Sequence, residues 1–253
     1  MDFYGQFQKK LRACKSYLDK NVFLTLCYHE IRVTFGSLLQ KAWIITVLFF
    51  ALLFVTGERN LAAISILLVF FVFFGSIIAL VVSSSSISGE IGGIADSLLS
   101  KSVKRWEYLL SKFVSHIIVV LTVYFSILVV MIGILWNFKF LPDDLNYENL
   151  FFIVLLVGLG LVFFSSIGVL FSSVFSKTIF SLLASITVWF LFVFMFATTE
   201  WEFLYSPVEI LHNFALILEG LWDVDYWKIL LFYIGSPFVF FAVSLIFFYQ
   251  RDL

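Results

Sequence analysis

The sequence is poor in charge. Lys, Arg, Asp and Glu make up 13% of its 253 residues, against about 25% in an ordinary soluble domain. Hydrophobic residues make up 62%, and the mean hydropathy is +1.07. Too few polar side chains exist to cover a water-soluble fold of this size. Lipid is therefore the natural solvent for most of the surface. The net charge of −1 says little, but the basic residues are sparse and scattered between apolar blocks, which argues against nucleic-acid binding.

Cysteine is scarce. Cys14 and Cys27 both fall in the polar N-terminal region, where two isolated thiols in a cytoplasmic setting make neither a disulfide nor a metal-ligand pattern. A cleavable signal peptide is not expected, because the first forty residues alternate charge with hydrophobe. Ionisable residues are nearly missing from the interior of the apolar blocks, His116 being the main exception. That disfavours an ion-driven carrier, a proton pump or a voltage sensor. His116 itself reads as an interfacial histidine facing a neighbouring helix.

Catalytic patterns are also missing. The chain has no His-Glu-x-x-His, no Gly-x-Ser-x-Gly and no paired carboxylates within an apolar block. Serines are plentiful, but serine in a membrane helix more often packs or hydrogen-bonds than attacks. Gly89-Glu90-Ile91-Gly92-Gly93 is glycine-rich yet lacks the lysine of a phosphate cradle. The expectation is a chain that is not itself an enzyme, with no catalytic residue, no metal and no cofactor of its own. Any energy for transport has to come from another subunit.

What remains is long apolar runs. A helix needs roughly 20 mostly apolar residues to cross a core of about 30 Å. Six blocks qualify: 39–56, 61–82, 113–136, 150–171, 178–198 and 228–249. Lys41 lies near the start of the first, where a lysine snorkels to the interface. Unpaired backbone is too costly in lipid, and continuous runs without alternation exclude a barrel, so the blocks are read as helices. With the N-terminus inside, the inner segments hold thirteen of the sixteen Lys and Arg residues; only Arg59, Lys139 and Lys228 lie outside. The positive-inside rule therefore places both termini in the cytoplasm.

Three further segments stand out. Phe3, Phe7, Leu11, Cys14 and Leu18 recur at helical spacing among Lys9, Lys10, Arg12 and Lys15, which reads as an amphipathic interfacial helix. Asn21 caps a second helix over about 22–38 that runs into the first span. Residues 1–38 thus form a region of interfacial helices ahead of a transmembrane domain over 39–253. The longest inner loop, 83–112, opens with the serine run Ser83–Ser86, read as a flexible exit from the second span. The outer loop 200–227 holds a helix start at Ser206-Pro207-Val208-Glu209. The apolar residues after it recur at helical spacing in a run too short to span, which reads as a re-entrant or interfacial helix. The fold class expected is all-α integral membrane.

The loop from Glu90 to Lys112 carries a specific pattern. Glu90, Gly93, Leu98, Leu99, Ser100, Val103, Arg105, Glu107 and Lys112 fall in the order and spacing of the first cytoplasmic loop of type 2 ABC export permeases, which the chain resembles. Ile94 stands where that family has Thr, and Ser102 where it has Pro. The ending Gln250-Arg251-Asp252-Leu253 is also similar. The flavour of the sequence resembles permeases grouped with multi-copper enzyme maturation systems.

The resemblance implies that elbow helices, six spans and a coupling helix form half of a translocation pathway in the cell membrane. The other half is a second copy or a paralogue. Two copies of a separate ABC ATPase bind the ATP and Mg. Asp96, Leu98, Leu99, Ser100, Lys101 and Ser102 would dock in the ATPase, with Gly93 leading into them. Arg105, Glu107 and Lys112 would pair with partner charges or anchor the next span, and Glu90 would bridge to the ATPase or to the neighbouring elbow. A non-transporting membrane scaffold is the alternative. The cargo is not readable.

Overall fold

A computed structural model describes residues 22–90, 103–142, 145–195, 206–222 and 225–250. The described residues are helical, with no strand among them. The helices are α1 (Val22–Gly36), α2 (Leu38–Glu58), α3 (Ala62–Ser84), α4 (Arg105–Asn137), α5 (Tyr147–Val174), α6 (Thr178–Phe190, continued by a π-turn at Leu191–Met195), α7 (Pro207–His212), α8 (Phe214–Glu219) and α9 (Tyr226–Gln250). Five of them, α2, α3, α4, α5 and α9, are long and apolar enough to cross a membrane. The apolar run of α6 is shorter, and the rest of the expected block 178–198 lies outside the described residues. The same holds for the first interfacial helix, in residues 1–21.

The expected helix over 22–38 does not run unbroken into the first span. It stops at Gly36. Ser37 takes an extended conformation, and its hydroxyl accepts from the Gln40 N–H, so it caps α2. A capping serine satisfies one of the orphan donors of the new helix. At the other end of the molecule Ser206 does the same for α7, with Pro207 in the first turn, as the sequence led us to expect. The helix expected within 200–227 is in fact two short ones, separated at Asn213 and closed by Gly220 in a left-handed conformation.

Helix α5 is the axis of the bundle. Its most apolar window is 78% buried, against 22–56% for the other four long helices. α3, α4, α6, α9 and the short helices all pack on it. Two π-turns interrupt the helices beside it, and each leaves backbone that a serine serves. In α3 the π-turn spans Phe71–Gly75; Ser76 donates to the Val72 carbonyl and accepts from Trp189 Nε1 of α6 at 2.7 Å. In α6 the Phe192 carbonyl accepts from Ser206 at 3.2 Å.

The serine run at the end of α3 is a hydrogen-bonded seam, where a flexible exit was expected. The Ser83 and Ser165 hydroxyls lie 2.7 Å apart. Ser181 of α6 donates to the Ser84 carbonyl. Ser172 of α5 accepts from the N–H groups of both Ile87 and Ser88, at 2.8 and 2.9 Å. Small side chains let the backbones approach this closely, and in a membrane polar contacts join helices where the hydrophobic effect does not. Gly168 marks the tightest crossing: a Cβ there would sit 2.7 Å from the Leu80 carbonyl oxygen and 2.8 Å from Ser83 Cβ.

Gly168→Val is therefore expected to lower the thermal unfolding midpoint of the detergent-solubilised protein, at a cost on the order of 1–3 kcal/mol. Gly133→Ala, which meets nothing within 4 Å, is the control and leaves the midpoint in place. Equal midpoints would show that α3 and α5 do not cross at Gly168.

Candidate functional site

The expected first inner loop has two roots, the residues after α3 and the first turns of α4. A helix this apolar was expected to begin at about 113, where charge ends. α4 begins eight residues earlier, at Arg105, and runs for 33 residues. Its polar start is stable because Arg105 and Lys112 each find a partner far along the chain. Arg105 Nη1 donates to the carbonyls of Phe248 and Tyr249, at 3.5 and 3.2 Å. Those carbonyls belong to the last turn of α9, where a cation offsets the negative end of the helix dipole.

Lys112 points inward and is 1% exposed. Its ammonium lies 2.7 Å from Glu30 of α1 and 2.5 Å from Glu90 at the end of the serine seam. Glu90 also accepts from the Tyr108 hydroxyl at 2.7 Å. The Tyr108 ring lies 5.5 Å under the ammonium and stacks on Phe248 of α9. A buried ammonium is tolerated only when paired and hydrogen-bonded. Here one cation holds two carboxylates from two segments far apart in sequence. α1, the root of the loop, α4 and α9 meet at this point.

α1 reaches the node because Cys27, Glu30 and Thr34 share one face, three and four residues apart. Cys27 and Thr34 are buried, and Cys27 Sγ donates to the Ser111 carbonyl at 3.8 Å. Burial, with the Glu30 carboxylate adding to it, pushes the Cys27 thiol up to about 11.

Of the residues singled out in the loop, the structure brings Glu90 and Lys112 together and turns Arg105 onto α9. Glu107 stands half-buried in the first turn of α4. Gly93, Asp96, Leu98, Leu99, Ser100, Lys101 and Ser102 lie outside the described residues. His116, one turn beyond Lys112, is buried, and neither ring nitrogen has a hydrogen-bond partner among the described residues. Sequence reading passed over Glu30 and Tyr108. The signal for Glu30 was its place between Cys27 and Thr34, an acid on the apolar side of a helix in a segment otherwise rich in cations.

A family model described as an ABC-2 family transporter protein matches residues 37–253. The chain belongs to this family. It is a multi-pass membrane protein of the ABC-2 permease kind, and such permeases work with an ABC ATPase. A search of curated proteins gave no match. The match to the ABC-2 family begins at Ser37, the cap of α2. Glu30 therefore lies ahead of the matched region and Glu90 and Lys112 within it, so the ion-paired node spans its edge.

Two outcomes test the node. Lys112→Met leaves two carboxylates facing each other and is expected to cost roughly 3–5 kcal/mol of stability. Adding Glu30→Gln and Glu90→Gln to it recovers most of the loss in detergent melts. No recovery would mean that Lys112 acts through its bulk rather than its charge. In a Cys14→Ser background, iodoacetamide alkylation of folded Cys27 is expected to accelerate only as pH approaches about 11, whereas the unfolded thiol reacts from its ordinary 9.0. Because the folded value is the higher one, this thiol's contribution is fully present below pH 9.0 and is lost as pH rises through about 11.

Proposed function

We propose that this chain is the membrane subunit of an ABC exporter, forming half of the translocation pathway and driven by ATP hydrolysis in a separate subunit. The observation that carries the reading is the single Lys112 cation shared by Glu30 and Glu90. It ties the root of the 83–112 loop to α1 and α4, and Tyr108 and Arg105 extend the tie to α9. A displacement of the loop then moves three helices together rather than one.

In this reading α6 completes six spans, and residues 1–38 form elbow helices along the inner face. One end of the bundle gathers Arg32, Lys104, Arg105, Lys112 and Lys177, and the other holds Arg59, Lys139 and Lys228. The positive-inside rule puts the first end, with both termini, in the cytoplasm. Residues 96–102 act as the coupling helix and dock in the ATPase, which carries the ATP and Mg. Two ATPases close on ATP, pull the loops of two permease copies, and shift the helices between inward and outward states. The permease itself performs no chemistry.

Copurification in mild detergent from the native membrane tests this. The expected result is a stoichiometric partner bearing a Walker A loop, with ATPase activity in the complex that falls when Gly93→Trp blocks the loop. A homo-oligomer without any ATPase would remove the energy source and turn the reading to a membrane scaffold.

A further inference from the structure

A cavity of about 330 Å³ opens beside Lys112, between α1, the start of α2 and the end of α3. Its polar lining is rich in acceptors. Glu30 and Glu90 both face it, 13% and 26% exposed, with one ammonium between them. The hydroxyl protons of the serines around it are already used: Ser37 donates to the Thr34 carbonyl, Ser85 to Val82 and Ser86 to Ser83. Their remaining lone pairs only accept. Thr34 lines the cavity too. It is 7% exposed, and its hydroxyl makes no hydrogen bond among the described residues. Two carboxylates against one lysine leave the lining with a charge of −1. At the rim Val33 and Leu39 are half exposed.

We propose that this cavity binds the primary ammonium head of an amphiphile, with its alkyl part against Val33 and Leu39. A cation bearing several N–H donors balances the excess carboxylate and donates to the acceptor oxygens of the lining. A quaternary ammonium supplies the charge without the donors and fits poorly. The volume suits a head group rather than a whole lipid. The site stands apart from the ATPase-coupled reading and holds whether or not an ATPase partner is found. The amine arrives either as the head group of a membrane aminophospholipid or as a free amphiphilic amine.

Calorimetric titration of the purified full-length protein tests the site, with octylammonium and octyltrimethylammonium as probes. Octylammonium is expected to bind saturably at one site per chain, and octyltrimethylammonium at least roughly tenfold more weakly, the loss expected when hydrogen bonds to charged groups are not made. Thr34→Val, which keeps side-chain shape and leaves the ion pairs alone, weakens octylammonium several-fold. Glu90→Gln weakens it by about tenfold. Equal binding of the two probes, binding unchanged in Thr34→Val, or no saturable binding at all would overturn the proposal. Native mass spectrometry from nanodiscs of mixed phosphatidylethanolamine and phosphatidylcholine separates the sources. Phosphatidylethanolamine retained by the wild type and lost in Thr34→Val identifies the lipid head group. Saturable octylammonium binding without retained lipid identifies a free amine.

Discussion

One buried ammonium organises the end of the bundle at which the 83–112 loop is rooted. Lys112 carries the charge of a residue normally found in water, and it sits 1% exposed among apolar helices. Such a group is costly unless its partners are close and its protons are used. Two carboxylates and an aromatic ring meet that demand. Each is anchored to a different piece of chain, so the demand of one ammonium fixes where α1 lies, where α3 ends and how α4 begins. A pair of apolar residues of the same size would hold the helices as firmly but would not care which face of α1 or which turn after α3 it touched. Charge makes the arrangement particular.

The rest of that end is joined by hydrogen bonds of the same polar character. The serine seam passes from α3 to α5 and α6 through four hydroxyls. Arg105 closes α9 against the start of α4. Where the solvent is as apolar as the side chains, it is hydrogen bonds, ion pairs and close backbone approach that choose the neighbour. The opposite end relies on aromatic contacts and on Asn149, whose amide donates to the Leu218 carbonyl and holds α8 on α5.

The membrane spans were legible because hydropathy is an average, and these averages are extreme. The same averaging hid the start of α4. Residues 105–112 read as loop because they are charged, and they are helix because Arg105 and Lys112 each find a partner that lies far along the chain. Ser83–Ser86 read as flexible for the same reason: serine's preference for turns is local, and its partners here are on α5 and α6. The cap at Ser206 was readable because its bond spans two residues. Glu90 and Lys112 were picked out by likeness to a loop pattern, but nothing in the sequence said that they would bond to each other or to Glu30. Contacts over 82 residues leave no periodic trace.

The π-turn in α3 sets the beat of that helix. Its buried positions fall in pairs at 63/64, 67/68, 71/72, 75/76, 79/80 and 83/84, a strict repeat of four. A helix of 3.6 residues per turn gains about 40° on such a repeat at every step, so the pairs would wind away from α5 before the serines were reached. The wider turn at Phe71–Gly75 holds one residue more than an α-turn and takes back about 100° of that drift. The segment is thus tuned to its length. Residues within 71–75 tolerate exchange for others of similar size, but removing a single one would restore the regular ladder and swing Ser83, Ser84 and the loop root at Glu90 out of phase with everything they touch.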